Sequence, residues 1–265
     1  LYACRPFPPS HPWGAGGLMV PRNVDLSPWH GLQLMDRSVF PPCGEERTLR
    51  VHLRDYQKDA LAAWRDKQDG IIVAPCGAGK TTIGMGAIES LDTKALVLVH
   101  TKDLADQWMT RCEEQIGVSA SLVGSGTNDD SSSVVIALFQ SLATREFREL
   151  MQWGKQFGLV IIDEAHHVPA DTFAAVMMAM PARYRLGLTA TPNRPDGLTP
   201  ILHWHLGPTC WEITNEHLIS MGLIMAPRIE WLFTGWNIEQ HLEWSALVTR
   251  MAEDPDRNQL ILERV

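Results

Sequence analysis

Ile71-Ile72-Val73-Ala74-Pro75-Cys76-Gly77-Ala78-Gly79-Lys80-Thr81-Thr82 joins a short apolar run to a glycine-rich loop that ends in Gly-Lys-Thr. It reads as a strand, a phosphate-binding loop and the start of a helix. A backbone that wraps a phosphate turns its N–H groups inward, and side chains at Gly77 and Gly79 would block that approach. Lys80 then places a positive charge at the β and γ phosphates, and the Thr81 hydroxyl, followed by Thr82, is placed to ligate Mg²⁺. The helix that begins there aims its positive end at the anion. Against the pattern G-x-x-x-x-G-K-[ST], the first glycine is replaced by Ala74, another small residue. Taken alone, a chance Gly-Lys-Thr in an ordinary strand–turn–helix would look the same.

Outward from this loop the chain alternates apolar runs of strand length with helix-length amphipathic stretches. Upstream, Leu49 to Gln57 leads into a helix whose Tyr56, Ala60, Leu61 and Trp64 share a face, with Asp55 as its expected N-cap. Gln57 sits just inside it. Its amide carries a donor and an acceptor, which suits an adenine edge, although a surface glutamine is the commoner case. Downstream, Lys94 to Val99 is nearly all apolar, as expected of a parallel strand buried on both faces. The next helix carries Leu104, Trp108, Cys112 and Ile116 at steps of four and ends at Gly117. A polar loop around Gly124-Ser125-Gly126 leads to the strand Val134–Phe139 and a helix from about Gln140-Ser141. The fold class is α/β, with a mostly parallel central sheet.

A fourth apolar strand, Gly158–Ile162, runs straight into Asp163-Glu164-Ala165-His166-His167. A carboxylate at the tip of a buried strand beside a phosphate loop can hold Mg²⁺, and its neighbour can take a proton from water. A strand ending in a polar turn explains one carboxylate but not this pair in this order. After a helix with Asp171 as expected N-cap and an apolar stripe of Phe173, Val176, Met177 and Met180, the strand Arg185–Leu188 ends in Thr189-Ala190-Thr191-Pro192. Those hydroxyls are placed to sense the γ-phosphate position.

Composition sets the frame. At 265 residues and 45% hydrophobic, the chain is long and apolar enough for one or two cores. No run approaches a membrane span and the first residues lack a signal-peptide layout, so a soluble intracellular protein without a membrane partner is expected. The five cysteines form no C-x-x-C pair, which argues against a zinc ribbon and fits a reducing compartment. A net charge of −8 excludes a protein that coats nucleic acid by bulk basicity, while leaving room for a local track of backbone amides and a few cations. Residues 1–45 hold eight of the 17 prolines and read as an irregular extension, in which Trp13 and Trp29 pack against the main domain or stack on bases.

Gln57, Ala-x-x-Gly-x-Gly-Lys-Thr (74–81), Asp-Glu-Ala-His (163–166) and Thr-Ala-Thr-Pro (189–192), in that order, resemble superfamily 2 DNA helicases and translocases. The longer strings Asp-Glu-Ala-His-His and Leu-Gly-Leu-Thr-Ala-Thr-Pro-Asn-Arg-Pro-Asp-Gly resemble the branch that holds the excision-repair helicase subunit of transcription factor H and the restriction-enzyme-type helicases. The resemblance covers roughly residues 48–200. It implies a RecA-like P-loop NTPase domain over 46–205, then a linker and an incomplete second RecA-like domain over 206–265.

By the same resemblance, Gln57 reads adenine with Arg54 nearby, Lys80 and Thr81 bind phosphate and Mg²⁺, Asp163 holds Mg²⁺ and Glu164 is the general base. His166, Thr189 and Thr191 couple nucleotide state to nucleic acid. Thr101, Gly124, Gln140 and Ser141 touch its backbone, which suits movement along any sequence. ATP and Mg²⁺ are the implied cofactors. DNA is the implied nucleic acid, with RNA open, and a second RecA-like domain is the other partner. No Gln-x-x-Gly-Arg-x-x-Arg occurs in the chain; in the family that string supplies arginine fingers. Two other readings are a P-loop ATPase of another class, such as a kinase or transporter subunit, and a binding module that holds ATP and DNA with little turnover.

Overall fold

The computed structural model describes residues 5–6, 18–28, 36–164, 168, 170–191, 197–226, 233 and 243–264. The chain divides into two compact units, Leu1–Ile224 and Met225–Val265. In the first, a two-residue antiparallel pair, β1 (Arg5–Pro6) and β2 (Leu18–Met19), precedes the main body. The main body runs α1 (Asp55–Lys67), β3 (Asp69–Val73), α2 (Lys80–Glu89), β4 (Ala95–Val99), α3 (Lys102–Ile116), β5 (Ser121–Gly124), β6 (Thr127–Asn128) and β7 (Val134–Leu138). It continues through α4 (Phe139–Ala143), α5 (Phe147–Gly154), β8 (Leu159–Asp163), α6 (Ala170–Met178), β9 (Tyr184–Thr189), α7 (Thr199–Leu206), β10 (Thr209–Glu212) and α8 (Asn215–Ser220).

Eight strands form one sheet in the order β10-β3-β9-β8-β4-β7-β5-β6, parallel throughout except for the β5–β6 pair. Alternation along each strand divides the core. Ala95, Val97, Val99, Leu159 and Ile161 face a layer built from α1, α2 and α3, with Trp64, Ile83, Ile88 and Trp108. Leu96, Leu98, Val160 and Ile162 face a second layer, where Phe139, Phe157, Phe173 and Leu202 pack. Burial on both faces is why these strands are continuous apolar runs rather than alternating ones. Among the described residues, no helix is long and apolar enough to cross a membrane.

Past residue 206, β10 pairs with β3 as an edge strand and α8 buries Leu218 with Tyr56 and Ala78, all within the first compact unit. Gly70 permits this approach, since a Cβ there would stand 2.8 Å from Cys210 Cβ. Three expectations change. The helix expected from Gln140 is two helices, α4 and α5, the second capped by Glu146, whose carboxylate accepts from the Arg148 and Glu149 N–H groups. Asp55 is not the N-cap of α1; Arg54 holds that position, and its N–H donates to Gln57 Oε1 at 2.9 Å. Asp171 lies inside the first turn of α6. The strand-like piece near Ile229–Phe233, together with Trp13, Trp29 and His166, falls outside the described residues, Phe233 apart.

The described part of the N-terminal extension is tied to the main body. Val39 bridges to Ala182 and the Pro41 carbonyl accepts from Thr93 Oγ1 at 2.6 Å; just beyond the extension, Arg47 is buried and donates to the carbonyls of Ile88 and Thr93 at 3.0 and 2.9 Å. A second buried cation, Arg185 on β9, donates to the carbonyls of Met180 and His205 at 2.7 and 2.8 Å. Burial pushes its pKa down to about 9.

His205 itself is fully buried against the edge of Phe173, and neither ring nitrogen has a hydrogen-bond partner among the described residues. Burial, and secondly the Arg185 charge, lower its pKa from 6.5 to about 3. The unfolded chain therefore takes up a proton below pH 6.5 that the folded chain refuses. The stability that rests on neutral His205 is complete above that pH and is lost toward pH 3 at about 1.4 kcal/mol per pH unit. Urea unfolding of the unaltered chain and of His205→Leu at pH 7 and pH 5 should show a smaller pH effect in the variant; equal pH effects in both would refute this.

Candidate active site

The expected phosphate loop connects the tip of β3 to α2. Gly77 and Gly79 have φ of +82° and +79°, the left-handed region where a side chain is strained. A Cβ at Gly79 would also stand 2.5 Å from Gln57 Nε2. The loop is held from α1: Tyr56 Oη and Gln57 Nε2 both donate to the Ala78 carbonyl, at 2.7 and 3.1 Å. Gln57 is therefore buried, with its oxygen on Arg54 N–H and its nitrogen on the loop, and each end keeps capacity for one further hydrogen bond. Arg54 is exposed and donates to Tyr56 Oη at 3.2 Å. Tyr56 is a member of the site that periodicity alone assigned to the apolar face of its helix.

Lys80 is the first residue of α2, and Thr81 and Thr82 follow in its first turn, both partly buried. The Lys80 ammonium donates to the Ala74 carbonyl at 3.1 Å and lies 3.2 Å from Glu164 Oε1. Glu164 turns the chain at the end of β8 with φ +51°, a conformation that costs a non-glycine residue on the order of 1 kcal/mol. Its second oxygen, Oε2, accepts from the Ala190 N–H at 3.4 Å and lies 3.2 Å from Thr189 Oγ1. That hydroxyl is also 2.9 Å from the Thr191 carbonyl and accepts from the Thr191 N–H. The tips of β3, β8 and β9 thus bring lysine, glutamate and threonine into one connected group.

Asp163, the last residue of β8, is buried, and burial raises its pKa above the usual carboxylate value. Its Oδ2 accepts from Trp108 Nε1 at 2.8 Å, and among the described residues Oδ1 has no side-chain donor. The Thr81 hydroxyl and the Asp163 carboxylate are hard oxygen donors of the kind Mg²⁺ takes, with phosphate and water completing its shell. Among the described residues no group of three or more His, Cys, Asp or Glu could hold a metal ion.

The residues expected to touch nucleic acid sit at the same edge of the sheet, on the next three strands beyond β8. Thr101 follows β4 and caps α3 by accepting from Leu104 N–H at 3.3 Å; Gly124 ends β5; Gln140 and Ser141 follow β7 in α4. Strands β4, β7 and β5 are consecutive neighbours, and β4 adjoins β8. Gly124 and Ser141 meet, since a Cβ on Gly124 would stand 2.9 Å from Ser141 Oγ. The carboxyl ends of parallel strands are where open α/β sheets bind ligands.

A family profile described as "Type III restriction enzyme, res subunit" matches residues 50–194. The "DNA 3'-5' translocase XPB2" of Sulfurisphaera tokodaii is 33% identical over 207 residues, which are 77% of this chain and 45% of that protein. The "Putative DNA 3'-5' helicase Rad25" of Halobacterium salinarum is 32% identical over 193 residues, 71% of this chain and 31% of that protein. The chain thus spans less than half the length of these curated relatives. In fold it is similar to the helicase domain of Pyrococcus furiosus Hef, with TM-score 0.54 and 20% identity over 69% of this chain and 43% of that one. The chain belongs to the family of the type III restriction enzyme res subunit, one of the superfamily 2 helicases and translocases, and carries the N-terminal RecA-like domain of that group.

Proposed function

We propose that residues 46–224 are the ATP-binding half of an ATP-dependent DNA helicase or duplex translocase. The observation that carries this reading is the 3.2 Å pair of Lys80 and Glu164, with Asp163 buried beside it. A phosphate-loop lysine resting on the carboxylate that follows a metal-ligand aspartate is a nucleotide site closed upon itself. An entering triphosphate draws Lys80 from Glu164 to its β and γ oxygens, and the released carboxylate is then available to take a proton from water. Thr81 and Asp163 would hold Mg²⁺, which supplies charge neutralisation at the β and γ phosphates. Thr189 reports on Glu164 through the hydroxyl at Oε2, and Thr101, Gly124, Gln140 and Ser141 offer a polar, sequence-indifferent edge for a nucleic-acid backbone. The relatives, a DNA translocase of Sulfurisphaera tokodaii and a putative DNA helicase of Halobacterium salinarum, favour DNA over RNA.

Residues 225–265 are then the start of a second RecA-like domain. In this unit α9 (Trp244–Glu253) and α10 (Pro255–Leu262) bury none of their described residues, and Trp244 and Leu262 are each 76% exposed. This favours, for 1–265 taken alone, a second reading as a binding module with little turnover.

Lys80→Ala tests the site in the chain as it stands. Loss of a charge-assisted contact of about 1.5–3 kcal/mol should weaken Mg²⁺–ATP binding by roughly 10- to 100-fold, measured by titration of a fluorescent ATP analogue. An unchanged dissociation constant would remove the loop from the nucleotide site.

A further inference from the structure

We propose that Trp108 is a positioning residue for the metal-binding carboxylate, joining the two elements that carry the expected Mg²⁺ ligands. This rests on the reading of Thr81 and Asp163 as those ligands. Trp108 lies on α3, 55 residues before Asp163, and is 1% exposed. Its indole N–H donates to Asp163 Oδ2 at 2.8 Å, the length of a charge-assisted bond. The far edge of the same ring lies on α2, where a Cβ on Gly84 would stand 2.5 Å from Trp108 Cη2. Gly84 lies in the helix that begins with Lys80 and Thr81.

One rigid side chain therefore sets the distance between α2 and the tip of β8. The N–H engages one carboxylate oxygen, which fixes the plane of the group and leaves Oδ1 with no side-chain donor among the described residues. Partners that orient a ligating side chain in this way typically contribute 10- to 100-fold to metal affinity. A buried indole N–H needs an acceptor wherever it lies; here that acceptor is the carboxylate expected to hold Mg²⁺, and an apolar residue against Asp163 would leave its buried oxygen unsatisfied.

The test is Trp108→Phe in the chain 1–265, which keeps an aromatic ring in the layer and removes the donor. A fluorescent ATP analogue is titrated in EDTA, and then at fixed analogue with rising Mg²⁺. The expected result is metal-free affinity within about twofold of the unaltered chain and a Mg²⁺ midpoint raised about tenfold or more. An unmoved Mg²⁺ midpoint overturns the proposal, as does an equal loss of metal-free and metal-bound affinity, which marks a packing role. If Trp108→Phe does not fold, replacement of Trp108 by 3-benzothienylalanine, with sulfur in place of N–H and the same ring outline, meets the same criteria. Should the unaltered chain bind no nucleotide, or bind it without regard to Mg²⁺, the nucleotide-site reading itself falls; a normal unaltered chain with an indifferent variant removes Trp108 alone.

Discussion

Glu164→Gln, in a chain that includes a second RecA-like domain, is expected to lower ATP hydrolysis by about 10²- to 10⁴-fold while ATP binding holds or tightens. The amide keeps the shape of the carboxylate and one acceptor oxygen, so the contacts of Oε2 with the Ala190 N–H and Thr189 Oγ1 have a replacement. It has no basic oxygen to receive a proton from water. It also carries no charge, so Lys80, now 3.2 Å from Glu164 Oε1, loses its ionic competitor for the phosphates, and a like-charge repulsion toward the triphosphate disappears. Phosphate-release rates and nucleotide dissociation constants, measured on the same preparation, separate the two effects. An unchanged rate would take Glu164 out of the role of base. A lowered rate with binding weakened more than tenfold would mean that the variant had damaged the site, which the preserved contacts argue against.

The two layers and the parallel sheet were legible because their strands are buried on both faces. Val97, Ile136 and Ile161 face one layer while Leu96, Ala137 and Ile162 face the other, so the sequence shows runs of apolar residues that local reading recognises. The turn of the glycine-rich loop was legible for a different reason: positive φ at Gly77 and Gly79 favours residues without a side chain. Interactions that join distant segments were not legible. Trp108 recurs with Leu104, Cys112 and Ile116 at steps of four, which describes its burial and hides its N–H; that its acceptor is Asp163 depends on α3 packing beside α2 over β4 and β7, with β8 next to β4. Gln57 was read for its chemistry, and the structure adds that the same amide braces the loop at Ala78. The break between α4 and α5 falls at Thr144–Glu146, without glycine or proline, and depends on Glu146 capping the second helix. The short β10 carries Cys210 and Trp211, whose place beside β3 is fixed by Gly70 and by stacking on Tyr56 at 6.3 Å.

Purified 1–265 is expected to bind Mg²⁺–ATP and to hydrolyse it barely above background, and fusion to a second RecA-like domain that carries Gln-x-x-Gly-Arg-x-x-Arg is expected to raise turnover by about 10³- to 10⁵-fold. On the proposed reading, Glu164 is the base, Lys80 the phosphate cation, and Thr81 and Asp163 the metal-ligand oxygens, and these residues lie at one edge of one sheet. Transfer of the γ-phosphoryl group also builds charge on the leaving oxygen, and neutralising it from the opposite side is what an arginine finger does. The arginine string is absent from these 265 residues. Steady-state phosphate release with and without duplex DNA, on 1–265 and on the fusion, measures both halves of the expectation. Robust DNA-stimulated turnover by 1–265 alone would overturn it, because the charge would then have to be met by a cation already within the chain. In that event the exposed Arg54, bonded through Tyr56 to the Ala78 carbonyl of the loop, is the first residue to replace.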